Sequence, residues 1–286
     1  MFPGEIDAAR FKATLDWISR WFRVLPLPEA VARLGEGSLP GRAAVISFDD
    51  GYADNHQVAA PLLERYGLPA TFFIASGYLD GGRMWNDGLI EALRRSPLDA
   101  LVLDPWGRFD LSGWVARGRA AQALIDRIKY LAPALREQAV REIAAAAKAE
   151  LPTDLMLDGG QLRSLARRGF TIGAHTVSHP ILAAISGDEA RREIESGRRA
   201  LEAIIDRRVS LFAYPNGKPG RDYTARDVAL VEELGFDAAV STAWGASGSN
   251  AERFQLRRFT PWDVSRLRFG LRLVGNLARP TPQVLA

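Results

Sequence analysis

A chain of 286 residues, 47% hydrophobic and 25% charged, has ordinary globular composition and enough length for one large α/β barrel or two small domains. Its formal charge of +3 is a mild basic bias, short of the clustered charge that marks a dedicated nucleic-acid binder. It has no cysteine, which excludes a disulfide framework and a thiolate ligand or nucleophile, so any metal must be held by His, Asp or Glu.

The opening MFPGEIDAARFKATLDW lacks the basic and apolar regions of a signal peptide, and no segment approaches the roughly 18 consecutive apolar residues of a membrane span. As given, the chain reads as cytoplasmic, and an incomplete amino terminus would leave cell-envelope association open. The first strand signal is AAVISF (43–48), which runs directly into Asp49 and Asp50. ATFFIAS (70–76), FTIGAH (170–175), VSLFAYP (209–215), DAAVST (237–242) and FQLRRFTP (254–261) follow. Amphipathic helical patterns lie between them: QVAAPLLERYG (57–67), GGQLRSLARRG (159–169), DEARREIESGRRALEAII (188–205) and ARDVALVEELG (225–235). This alternation predicts parallel βα units in a (β/α) barrel or a doubly wound sheet, with chemistry at the carboxyl ends of the strands in either case. The segment from about 83 to 158 is strongly helical and reads as an insertion between the second and third strands, a helical cover on one side of the barrel. The whole is read as one domain over 1–275 with a tail at 276–286. Near its end, SRLRFGLRLVGNLAR draws as a helix with Arg268 and Arg272 on one side and Leu267, Leu271 and Val274 on the other. Such a helix suits either packing on the barrel or peripheral contact with anionic lipid.

Only three histidines occur, and two stand in GAHTVSHP as His175 and His179. A spacing of four is expected to put both imidazoles on one face of a helical turn, where two nitrogens can reach one metal ion. His175 ends one strand candidate as Asp49 and Asp50 end another, so all four side chains can meet at one barrel mouth. Two histidines and one carboxylate leave open positions for water and substrate, as a hydrolytic metal site requires, and the second aspartate is then free to act as a base. The alternative for DDG is an Asp-rich turn or helix cap.

SFDDGYADN, GAHTVSHP and FAYPNG together resemble the first three motifs of the polysaccharide deacetylase family, the NodB-homology carbohydrate esterases of family 4, over nearly the whole chain from Phe11 to about Asp263. The resemblance implies a distorted (β/α) barrel of the NodB-homology type. It implies a divalent ion, most often Zn2+ with Co2+ or Ni2+ as alternatives, and hydrolysis of the N-acetyl groups of amino sugars in a polysaccharide or its oligosaccharide precursor. On the same basis Asp50, His175 and His179 would bind the metal and Asp49 would be the base. A backbone N–H near Tyr214 would face the oxyanion, and Pro215 and Asn216 would line the substrate groove.

Two departures stand out beside the minor one of Ser47, where many relatives have Thr. No histidine follows His179, so the late acid of many relatives is missing, and Asp263 is one candidate to return the proton. The third motif also lacks its usual arginine; Arg258, in RRFTP, is a candidate to reach the site in its stead, orienting the base or contacting substrate, and the alternative is a solvent-facing arginine on an outer strand. His56 is read as a surface or capping residue. Trp85, Trp244 and Trp262 follow strand candidates and either stack on sugar rings or fill the core. Two rivals remain: a related hydrolase acting on O-acetyl esters or other amides, and a glycan-binding module with an impaired site. The expected partner is an N-acetylated glycan, not a nucleic acid.

Overall fold

The computed structural model describes residues 7–248, 250–261 and 263–277. In chain order its elements are α1 (Ala8–Trp21), β1 (Arg23–Val24), α2 (Leu27–Gly35), β2 (Ala43–Ala44), β3 (Ser47–Phe48), a π turn over Asn55–Ala59 that continues as α3 (Ala60–Arg65), and β4 (Thr71–Ile74). There follow α4 (Trp85–Arg95), β5 (Ala100–Leu103), β6 (Gly107–Asp110), α5 (Trp114–Ile128) and α6 (Pro133–Ala146). The chain then runs through α7 (Gly159–Arg167), β7 (Thr171–Ala174), α8 (Gly187–Ile205), β8 (Leu211–Ala213), α9 (Ala225–Glu233), β9 (Ala238–Val240) and α10 (Arg266–Leu277). Among the described residues two compact units result, one from residues 81–155 and the other from residues 7–80 with 156–277.

The larger unit is built on a parallel sheet of order β3-β4-β7-β8-β9, in which spatial order follows chain order. A doubly wound sheet reverses its strand order at a switch point, and this one does not. Right-handed crossovers all taken in one direction put the helices on one face, and the sheet curls as a distorted, incomplete barrel. Alternate residues separate its two faces, as the period of a strand requires. Phe72, Ile74, Ile172, Phe212 and Ala239 meet the helical layer, which brings Leu63, Leu162, Leu165, Ile194, Leu201 and Val231. Phe73, Leu211, Ala213, Ala238 and Val240 form a second cluster with Leu27 and Leu256. Helices α7 and α8 start on full capping boxes, Asp158 with Gln161 and Ser186 with Glu189.

Some strand expectations change. AAVISF is two strands, because β2 pairs with β1 in a ladder of its own while β3 pairs with β4. FQLRRFTP contributes a single bridge, Val240 to Leu256, since Arg258 turns its N–H to the Ala243 carbonyl instead of continuing a ladder. The insertion is three helices plus an antiparallel hairpin, β5 with β6, around its own core of Trp85, Leu89, Leu93, Leu124 and Ile143. In α10, Phe269 is buried against Trp17, Trp21 and Phe259 while Leu267, Leu271 and Val274 are exposed. Trp262 and residues 278–286, most of the expected tail, lie outside the described residues. Among the described residues no helix is long and apolar enough to cross a membrane.

Gly173 of β7 sits directly opposite Phe73 of β4, and a Cβ there would stand 2.4 and 2.5 Å from that ring and 3.2 Å from the Leu211 carbonyl oxygen. Gly173→Ala is therefore expected to destabilise the protein by about 1–3 kcal/mol, the usual effect of overpacking a core. Thermal denaturation followed by circular dichroism checks this, and an unchanged midpoint would show that the Phe73 ring yields freely.

Candidate metal centre and active site

Three loops at the carboxyl edge of the sheet carry the polar residues. Asp49 and Asp50 leave β3, His175 leaves β7, and Tyr214 leaves β8. Asp50 lies at φ +75°, an unusual conformation for a residue with a side chain, and its carbonyl accepts the Ala75 N–H at 3.2 Å. The two histidines are not on a helical turn. Thr176 and His179 lie at φ +65° and +52° in an irregular loop, and Pro180 disfavours helical geometry at His179. The rings converge all the same, with centroids 4.8 Å apart.

His175 donates from Nδ1 to the Ala213 carbonyl at 2.7 Å, which sets the tautomer and leaves the Nε2 lone pair for a ligand. That Nε2 is 3.4 Å from Asp50 Oδ1, and His179 Nε2 is 3.5 Å from the same oxygen. All three donor atoms lie within 4.8 Å of one another. Ligands held ~2.0–2.1 Å from a tetrahedral ion stand about 3.3–3.5 Å apart, so the donor set fits a divalent cation with a position left open for substrate. His175 is buried and Asp50 partly exposed, so such an ion would be reached from one side.

Asp49 lies outside that set and is held by Arg258. The guanidinium grips both carboxylate oxygens, at 2.7 and 2.8 Å, while its Nε donates to the Ser241 carbonyl at 2.9 Å. Burial by itself raises the Asp49 carboxyl, but Arg258, His175 and His179 outweigh it and bring its pKa down to about 2. Burial likewise opposes a charge on His175, yet contact with Asp50 and the charges of Asp49 and Asp50 prevail, so its pKa lies above the ordinary histidine value. Arg258 thus holds the carboxylate that the sequence motifs lead one to expect as the base. With its fork and its Nε engaged, it is not placed to contact substrate as well.

Other expected site residues fall elsewhere. The Tyr214 N–H is donated to the Val240 carbonyl at 3.3 Å, which extends the β8–β9 ladder by one rung, and its ring stacks on Tyr223 at 3.9 Å in the core. Pro215 is buried, whereas Asn216 is half-buried and left-handed at φ +58°. Trp85 is 7% exposed within the insertion's own core, its ring covered by Arg136 at 4.9 Å, so it is core and not a sugar platform. Trp244 is 39% exposed beside Arg272. Asp263 is nearly buried and paired with Arg272 at 2.6 Å, which argues against its being an acid. His56 meets Ser164 Oγ at 3.1 Å, a structural contact between two helical segments.

A curled parallel sheet with a His–His–Asp cluster and a clamped carboxylate at its carboxyl edge has the parts that metal-assisted hydrolysis requires. The family model described as polysaccharide deacetylase matches residues 36–99 and 125–239, more than half of the chain, and the chain belongs to the polysaccharide deacetylase family. It is 20% identical to YxkH of Bacillus subtilis (strain 168) over 256 residues, 89% of this chain and 64% of that protein. It is also 28% identical over 88 residues, 30% of each chain, to the poly-beta-1,6-N-acetyl-D-glucosamine N-deacetylase of Staphylococcus aureus (strain MSSA476). The chain thus spans less than two thirds of the length of these relatives. Among solved structures it is similar in fold to the Streptococcus pyogenes deacetylase PplD (TM-score 0.60, 18% identity, 91% of this chain and 86% of that one). IcaB from Ammonifex degensii matches equally well (TM-score 0.60, 16% identity, 95% of this chain and 90% of that one).

Removing the clamp has a directional consequence. In Arg258→Met, burial is no longer opposed by the guanidinium, so the Asp49 pKa rises. The acid limb of the pH–rate profile is expected to move up by roughly 1–3 units, the span over which a close arginine lowers a carboxylate. Rates on an acetylated substrate between pH 3 and 8, at saturating cation, check this: the Asp49 limb lies below that range in the unaltered protein and should enter it in the variant, and its failure to enter would mean that Arg258 does not set the ionisation of Asp49.

Proposed function

We propose that the protein hydrolyses N-acetyl groups from amino sugars of a polysaccharide or its oligosaccharide precursor, with zinc as its resident ion. The observation that carries this reading is the pairing of an Arg258-held, ionised Asp49 with a neighbouring Asp50–His175–His179 donor set. The substrate named for the Staphylococcus aureus relative supports the choice of N-acetylated sugar. Two nitrogens and one carboxylate oxygen suit zinc.

An ion bound there supplies Lewis acidity, polarising the acetyl carbonyl and acidifying water. Asp49 takes the proton as the water oxygen adds to the acetyl carbon. The Asn216 N–H, for which no acceptor is found among the described residues, takes the oxyanion role expected near Tyr214 and donates to the negative oxygen as it develops. The C–N bond then breaks, Asp49 returns its proton to the leaving nitrogen, and acetate and the free amine depart. A carboxylate of low pKa gives up its proton readily, which suits the second half of this cycle in a chain without a late histidine.

The test is acetate release from protein loaded with zinc or cobalt, across N-acetylated and O-acetylated oligosaccharides, with His175→Ala as the blank. Release from N-acetylated substrates that disappears in the blank supports the proposal. Release from O-acetylated substrates alone would make the protein an esterase. No release despite one tightly held cation per chain would favour glycan binding.

A further inference from the structure

The loop between the two histidines is held from behind by a helix. On α8 the Glu193 carboxylate accepts three hydrogen bonds from it. Oε2 takes the Val177 N–H at 2.9 Å and the Ser178 N–H at 2.8 Å, and Oε1 takes the Ser178 hydroxyl at 2.7 Å. One turn further along the same face, Gly197 lets α8 lie against the loop backbone, where a Cβ would stand 2.7 Å from the Thr176 carbonyl carbon and 2.8 Å from its oxygen.

The loop needs such support. Thr176 and His179 both carry side chains in the left-handed region, a conformation that surrounding contacts must impose. Within the loop, the His179 N–H donates to Thr176 Oγ1 at 3.1 Å, and Tyr78 donates its hydroxyl to the Ser178 carbonyl at 2.8 Å. Glu193 ties together the two residues that join these left-handed positions. It also bonds backbone N–H groups that no strand or helix satisfies. His175 is anchored separately, by β7 and by Ala213. His179 has no strand beneath it, so its Nε2 reaches within 3.5 Å of Asp50 only while the 176–178 backbone keeps its path.

We infer that Glu193 is a positioning residue for the cation site, setting through the Val177–Ser178 backbone where His179 presents its ligand atom. This role rests on reading Asp50, His175 and His179 as the metal ligands. Neither the spacing of the histidines nor the capping pattern at the start of α8 indicates it, because the contact joins residues 15 and 16 apart across a loop and a helix.

The test measures cobalt(II) affinity of the full-length, metal-stripped protein by chelator competition, together with the visible absorption of the bound ion and amide exchange at Val177 and Ser178. Glu193→Ala is expected to weaken cobalt binding about 10–100-fold, the range typical of losing a residue that orients a metal ligand. It should also change the visible absorption of the bound ion and speed exchange at those two amides. Glu193→Gln retains an oxygen for both N–H groups and an amide that can donate to Ser178 Oγ, so it should restore most of the affinity. A purely structural role would lower the melting temperature of Glu193→Ala while leaving the cobalt affinity of the folded protein within twofold of the unaltered chain, and that result would overturn the inference. If Glu193→Ala fails to fold, Ser178→Ala removes the shortest of the three bonds and should weaken binding in the same direction; unchanged affinity there would likewise overturn it. Failure of the unaltered protein to bind cobalt any better than His175→Ala is a separate result, which overturns the metal-site reading itself and with it this role.

Discussion

Asp49→Asn is expected to lower acetate release by roughly 10²–10⁴-fold, the usual contribution of a positioned general base, while leaving cation affinity nearly unchanged. The two effects separate because Asp49 is outside the donor set formed by Asp50, His175 and His179. Asparagine keeps the shape of the side chain and one oxygen for Arg258, but it cannot take a proton. Steady-state rates and a cobalt titration on the same preparation decide the matter. Turnover within threefold of the unaltered protein would move the base elsewhere, and a matching loss of cobalt would make Asp49 a ligand. The ionisation of Asp49 also bears on acid stability. Its pKa falls from 3.8 to about 2 on folding, so its stabilising contribution is present above the unfolded value and is lost as pH falls towards 2. At neutral pH Asp49, the proposed base, is fully ionised.

The second large effect is on the ion. His175→Ala removes the most buried of the three proposed ligands, and both cation binding and acetate release are expected to disappear. The loss of affinity should exceed the roughly 10–100-fold that follows removal of an outer-shell partner. Proton linkage gives the same site a signature in the unaltered protein. The pKa of His175 is raised, so in the cation-free protein its protonated form stabilises the fold below the unfolded value near 6.5 and that contribution is lost as pH rises through the folded one. A cation needs the neutral ring. Binding should therefore release a proton and strengthen as pH rises from about 6 to 8. Calorimetry in two buffers of different ionisation enthalpy reads this directly. Equal heats would mean that His175 is already neutral or does not ligate.

Much of the site could be read along the chain because each of its parts is locally encoded. An apolar run of strand character ending in Asp49 and Asp50, and another ending in His175, place those side chains at the carboxyl edge of any parallel sheet. The alternation of strands and helices likewise specified a singly or doubly wound α/β fold, and the position of the insertion between the second and third strands of the sheet followed from its helical composition. The sequence could not choose between the two windings, since the choice depends on which strands pair, and pairing is a contact between distant segments.

The same limit explains what was misread. Helical spacing suggested one turn for His175 and His179, but left-handed residues at 176 and 179 form a loop whose path is held by Glu193 on the following helix. The motif points to an oxyanion donor near Tyr214 without saying which N–H, and only the pairing of strands shows that the N–H of Tyr214 itself is taken by one extra rung to Val240 while Asn216 stands at the turn two residues on. Arg258 reaches Asp49 from 209 residues away, and Asp263, by sequence one candidate to return the proton, is paired with Arg272. The chain alone determined which groups could ligate, accept protons or end strands, because those properties belong to single side chains and their near neighbours. Tertiary structure decided that Arg258 is the arginine engaged with Asp49 and that the Tyr214 N–H is taken by the sheet, because charge, burial and hydrogen-bond satisfaction depend on what folding brings within a few ångströms.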